Sequence, residues 1–116
     1  MQPISKWFSV RFDEQAITLQ VGPPGSASRR EVIPWQRILR VCFKAEDIGV
    51  SDGIYIFTDE RPQSYAIPIE ADGGQALWNE ILRRNLFAAE LAIQAAMAID
   101  RLFCWPPLGG QPGPCI

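Results

Sequence analysis

Cysteine is the residue through which this chain could do covalent chemistry, and it occurs three times, at Cys42, Cys104 and Cys115. In the stretch RVCFK, Arg40 and Lys44 stand two residues to either side of Cys42. On a strand all three side chains would share one face. Two cations beside a thiol favour the thiolate, the form that attacks disulfides and carbonyl carbons. The chain has no histidine, however, so Cys–His and Ser–His pairs and the usual zinc and iron ligand sets are excluded. Cys42 therefore reads as a small side chain partly covered by a C-terminal helix, with a reactive thiol in a thiol-dependent enzyme as the alternative. No catalytic residue, metal site or cofactor is expected. The odd count and the lack of CxxC spacing argue against a disulfide framework and predict reduced thiols in a cytosolic setting.

Cys104 lies in RLFCWPP (101–107), where Leu102, Phe103 and Trp105 surround it and two prolines follow. Flanking apolar side chains suggest burial, which quiets a thiol. The expected role is a clasp, in which Phe103 and Trp105 fold back over apolar surface left by the rest of the domain. The alternative is that they cover a partner, because Trp brings a large contact area at low entropic cost. On the same ground Trp7 and Trp35 join Phe103 and Trp105 as candidate interaction residues.

Weaker chemistry is also visible. Arg29 and Arg30, with Lys6 and Arg11, form a basic grouping near a flexible loop and are candidates for binding an anion. That loop, GPPGSAS, brings no charge of its own, and phosphate affinity needs several summed charges. Glu46, Asp47, Asp52, Asp59, Glu60, Glu70 and Asp72 fall in turns, where Asp commonly accepts local backbone hydrogen bonds. Their spacing matches no calcium loop. ADGGQ (71–75) has glycines ahead of a helix, but Asp72 would repel an anion, so a helix cap is expected there.

These side chains have to be positioned by a fold, and 116 residues with 47% hydrophobic content can bury a real core. The first half alternates with period two. Strands are predicted over KWFSVRF (6–12), AITLQV (16–21), RREVI (29–33), RILRVCFKAE (37–46), IYIFT (54–58) and SYAIPI (64–69). Turns are expected at DEQ, GVSDG (49–53) and DERPQ. In the fourth strand Leu39, Val41 and Phe43 share one face. The last two strands are apolar on both faces, one face toward the interior and the other partly covered. From residue 73 the period becomes helical, with Leu77, Trp78, Ile81 and Leu82 on one stripe and a Glu80–Arg84 pair. Asn85 is placed to end that helix in a left-handed conformation. A second, alanine-rich helix over 88–99 would pack through Leu91, Ala92, Ala95 and Ile99. This order of elements predicts an α+β domain, a bent antiparallel sheet or barrel of about six to seven strands followed by one or two C-terminal helices. The expected organisation is one domain over 1–107, with strands over about 6–69, helices over about 73–99, the clasp at 101–107 and a flexible tail over 108–116.

The order of elements is similar to the pleckstrin-homology-like barrel. VIPWQRILRVCFK resembles its strand–turn–strand step in bacterial versions, and the longer run from Arg40 to Ile81 resembles small bacterial proteins of that fold. The resemblance covers roughly residues 5–86 and implies no chemistry. The net charge of −2 gives no overall surplus of cations for nucleic acid. MQPISKWF shows no apolar leader core, and no stretch reaches the ~18 apolar residues of a membrane span. The expected function is a non-catalytic interaction module whose partner is another protein or a second copy of itself, in the cytoplasm. The alternative is a small-ligand or phosphate-binding domain, or an enzyme using Cys42.

Overall fold

The computed structural model describes residues 6–22, 29–45 and 52–106. Two antiparallel sheets form in sequence order. The first has the order β1-β2-β3, from Phe8–Phe12, Ala16–Val21 and Arg29–Pro34. A single 3-10 turn, Trp35–Arg37, hands the chain to the second sheet. That sheet has the order β6-β5-β4-β7, from β4 (Ile38–Ala45), β5 (Gly53–Thr58), β6 (Arg61–Pro68) and β7 (Arg101–Trp105). Between β6 and β7 come two helices, α1 (Gly74–Arg83) and α2 (Ala89–Ala96). The class is α+β as expected; the two sheets are bent and do not close into a barrel.

The alternation read from the sequence sets the core. Phe8, Val10, Ile17, Leu19 and Ile33 of the first sheet and Val41, Phe43, Ile54, Ile56, Tyr65 and Ile67 of the second are buried together. α1 brings Leu77, Trp78 and Ile81 onto them, with the Trp78 ring 4.7 Å from Phe43 and 5.0 Å from Phe87. Local chemistry fixes the corners. In the β1–β2 turn the Asp13 carboxylate accepts hydrogen bonds from the backbone N–H of Gln15 and Ala16, at 2.8 and 2.9 Å. Those bonds hold its pKa below the ordinary value. Glu31 of β3 faces Arg61 of β6 at 3.7 Å, which joins the two sheets.

Several elements differ from the expectation, each for a physical reason. β6 begins at Arg61, so Arg61, Pro62 and Gln63 belong to the strand and the DERPQ turn shrinks to two residues. β6 is an edge strand, where a proline need not donate to the ladder. The Arg61 guanidinium donates to Ser64 O at 2.9 Å and lies 3.6 Å from the centre of the Tyr65 ring. Leu39 does not share the buried face of Val41 and Phe43. The β4–β5 register shifts between Ile38 and Arg40, and this irregularity turns Leu39 out to 58% exposure.

α1 is not capped by Asp72. Its N-cap is Gly73 at φ +91°, with no side-chain cap bond. Asp72 instead bridges β1 through its backbone, accepting from Val10 N and donating to Phe8 O, while its carboxylate meets Arg11 at 2.9 Å. A Cβ on Gly73 would stand 2.2 Å from Val10 O. The glycines of ADGGQ therefore let the chain cross β1 at close range. They do not cradle a phosphate. At the other end Asn85 adopts φ +59° as expected. Leu86 N–H donates to Ile81 O and Asn85 N–H to Leu82 O, which satisfies the last free carbonyls of the helix. α2 is shorter than expected. Leu91 and Ala95 are buried, whereas Ile99 lies past the helix end and is exposed.

RLFCWPP forms a seventh strand, which the sequence reading did not include. The expected loop over GPPGSAS, most of the GVSDG turn, Glu46, Asp47, Pro107, the 108–116 tail and Cys115 lie outside the described residues.

Candidate functional site

β7 closes the second sheet by pairing antiparallel with β4. The register is Val41 with Trp105, Cys42 with Cys104, Phe43 with Phe103, Lys44 with Leu102 and Ala45 with Arg101. Because side chains alternate, Phe103 points inward and is wholly buried, while Cys104 and Leu102 share the outer face with Cys42, Arg40 and Lys44. Cys42 and Cys104 form a disulfide across this ladder. This corrects the expectation of reduced thiols, and Cys42 holds no free thiol in this state. The cytosolic setting had been inferred from reduced cysteines, so the disulfide removes that support.

The outer face carries a groove of about 370 Å³ lined by Cys42, Lys44, Tyr55, Phe57 and Leu102. Tyr55 pairs with Cys42, and Phe57 with Arg40, across β4–β5. Both rings are only half-buried, in line with the expectation that β5 is apolar on both faces. Lys44 Nζ is 3.2 Å from Asp100 Oδ1 at the entrance to β7.

One end of the same ladder forms a corner. There Ile38, Leu39, Arg40, Asn85, Leu86, Trp105 and Pro106 line a notch of about 140 Å³. Leu39 and Trp105 are 58% and 38% exposed. Arg40 Nε donates to Pro106 O at 2.8 Å, which pins the end of β7. Among the described residues the Arg40 guanidinium has no carboxylate partner. The corner thus joins two exposed apolar side chains, a notch and an uncompensated cation.

The residues singled out from the sequence fall in different places. Trp105 is in this corner and Cys42 is next to it. Phe103 is core, so the clasp is half intramolecular and half exposed. Trp35 is also core: its Nε1 donates to Asp13 O at 2.8 Å, and the Arg84 guanidinium lies 4.1 Å from the ring centre. Trp7 packs partly buried against the core. Arg29 and Arg30 are exposed at the start of β3, with Arg29 Nε 3.4 Å from Glu31. Arg11 is on Asp72. It aligns with Thr18 and Val32, so it lies three residues along the sheet and two strands across from Arg29, about 14 Å away, and the basic grouping is spread out.

Leu39 and Cys104 are the functional candidates that sequence reasoning missed. The pairing of Cys42 with Cys104 would have been visible had 101–105 been read as a strand, since Cys104 has apolar neighbours on both sides. The exposure of Leu39 has no sequence signal, because it comes from a shift in strand register.

Further apolar exposure occurs at Val32 on β3, at Ile93 on α2, and at Met97 and Ile99 past the end of α2. The corner differs in joining its exposed apolar side chains to a notch and a cation. Among the described residues no group of three or more His, Cys, Asp or Glu is placed to hold a metal ion, and no helix is long and apolar enough to cross a membrane. No protein-family model, curated protein or solved structure matches this chain.

Proposed function

We propose that this domain is a non-catalytic protein-interaction module and that its contact surface is the corner formed by Leu39, Arg40, Trp105 and Pro106. The observation that carries this reading is the exposure of Leu39 and Trp105 beside a notch and beside Arg40, whose charge has no carboxylate partner among the described residues. An exposed Trp at the rim of a concave apolar site has the composition of an interface anchor. Arginine next to it accepts a carboxylate in two-pronged fashion. The occupant that fits is a protein segment with a large apolar side chain adjacent to Asp or Glu. A three-stranded and a four-stranded antiparallel sheet with a helix packed on them support keeping the pleckstrin-homology-like resemblance within this reading.

A peptide-display selection on the full chain, counter-selected against Trp105→Ala, tests the proposal. The expected winners carry a large apolar residue beside an acidic one and lose binding to both Trp105→Ala and Arg40→Ala. Winners that are indifferent to both substitutions, or no winners, overturn it. A concentration-dependent dimer that Trp105→Ala dissolves would also overturn it, by making the occupant a second copy of the chain.

A further inference from the structure

We infer that Cys42–Cys104 is a redox-active pair, that a dithiol reductant reaches it through the outer-face groove, and that its opening releases β7 with the corner it carries. The effect on partner binding rests on the interaction reading above; the opening of the bond does not.

Both cysteines are buried, but Cys42 lines the groove of about 370 Å³ and keeps 3% exposure, whereas Cys104 has none. An incoming thiolate therefore meets the Cys42 sulfur. Lys44 lines the same groove and Arg40 lies on the same face two residues away. Lys44 is held on Asp100 at 3.2 Å, so Arg40, with no carboxylate partner among the described residues, is the charge that draws in a negatively charged nucleophile. The apolar walls, Tyr55, Phe57 and Leu102, would contact the body of the reductant.

The chemistry balances without any further reagent. One thiolate of the dithiol attacks Cys42 Sγ, and the Cys42–Cys104 bond breaks. Cys104 leaves as a thiolate and takes up a proton. The second thiol of the reductant then attacks its own sulfur in the mixed disulfide, closes a disulfide within the reductant and frees Cys42. Two electrons and two protons pass from the dithiol to the cystine.

The consequence follows from topology. β7 is the edge of its sheet and pairs only with β4. It spans five residues, and Trp105 and Pro106 of the corner are at its end. The covalent bond is the rung next to the Trp105 end of that ladder. An edge strand held on one side has the lowest local stability in a sheet, so losing this rung should act first on β7 and the corner.

The test uses the full chain with C115S, so that the third thiol stays out of the readout. The oxidised protein is equilibrated in buffers of set reduced-to-oxidised dithiothreitol ratio. Alkylated thiols are counted by mass, and hydrogen exchange is followed for 101–106 and for β1–β3. The expected result is that Cys42 and Cys104 become alkylated together without denaturant, while exchange in 101–106 rises at least tenfold more than in β1–β3. A cystine that opens only when the whole domain unfolds would overturn the proposal and make the bond a structural staple. Opening with no change in 101–106 would overturn the release of β7. C42A/C104A/C115S gives a separate reading: folded and reagent-free, it should show the faster 101–106 exchange permanently. If β7 loosens but a selected peptide still binds, the coupling fails and the interaction reading stands. If no peptide is ever selected, the interaction reading fails and the redox result stands.

Discussion

The two sheets of this protein have different outer faces. On the first, β1–β3 present mostly polar side chains away from the core, Ser9, Arg11, Thr18, Gln20 and Arg30, together with Val32 at 50% exposure. On the second, the corresponding side carries Tyr55, Phe57, Leu102 and a disulfide, and the β4–β7 ladder ends beside the exposed Leu39 and Trp105. The same alternation generates both sheets, so folding alone does not require the difference. A sheet needs one apolar face to form a core. Apolar side chains on the second face, with a notch at its end and an arginine that has no carboxylate partner among the described residues, are surplus to that need. They are the reason the proposed contact surface is assigned to the β4–β7 side.

The sharpest way to break the comparison is within β7, where adjacent residues serve different ends. Phe103→Ala removes a fully buried ring and should cost about 3–5 kcal/mol of stability, read as a lower denaturant midpoint. Thr18→Ala, on the outer face of the first sheet, should change it by less than about 1 kcal/mol. Equal effects would mean that β7 is not integrated into the core.

The disulfide comes next in size. It closes a loop with a sequence separation of 62, for which chain entropy gives about 4 kcal/mol at most and typical measurements about 2–4 kcal/mol. Equilibrium unfolding with and without reductant should show a loss in that range. The first sheet has no covalent staple among its described residues, so beyond the global loss, local hydrogen-exchange protection should fall most in β7 and β4.

A smaller effect belongs to the end of α1. Glu80 accepts hydrogen bonds from Arg83 and Arg84, and the Arg83 bond is the main reason its pKa falls from 4.5 to about 2. Because the folded value lies below the unfolded one, the stabilisation is complete above about pH 4.5 and is lost as pH falls toward 2. Glu80→Gln should flatten the pH dependence of stability in that window, followed by thermal melts at pH 5, 4, 3 and 2.5. An unchanged slope would show that other carboxylates dominate.

The sequence was most legible where period and local chemistry agreed. β2 runs over Ala16–Val21 as the alternation predicts, and Asn85 ends α1 as its tolerance of positive φ predicts. It was least legible where long-range geometry decided. Asp72 has the chemistry of a helix cap, but Gly73 takes the cap position because the chain must pass within bonding distance of β1. RLFCWPP is apolar on both faces, so no period marks it as a strand, and only its pairing with β4 reveals the partner of Cys42. For the site, Trp105 and Cys42 were named from residue type and spacing, whereas Leu39 depended on a register shift that no local pattern encodes.

The most direct test of the central claim is the affinity of a display-selected peptide for the full chain and for Trp105→Ala, measured with the melting temperature of each. The account predicts that the substitution weakens binding by at least about thirtyfold, the scale of an interface anchor worth ~2 kcal/mol, with little change in melting temperature. Unchanged affinity for the folded Trp105→Ala protein would contradict it, and the contact surface would have to be sought away from the corner.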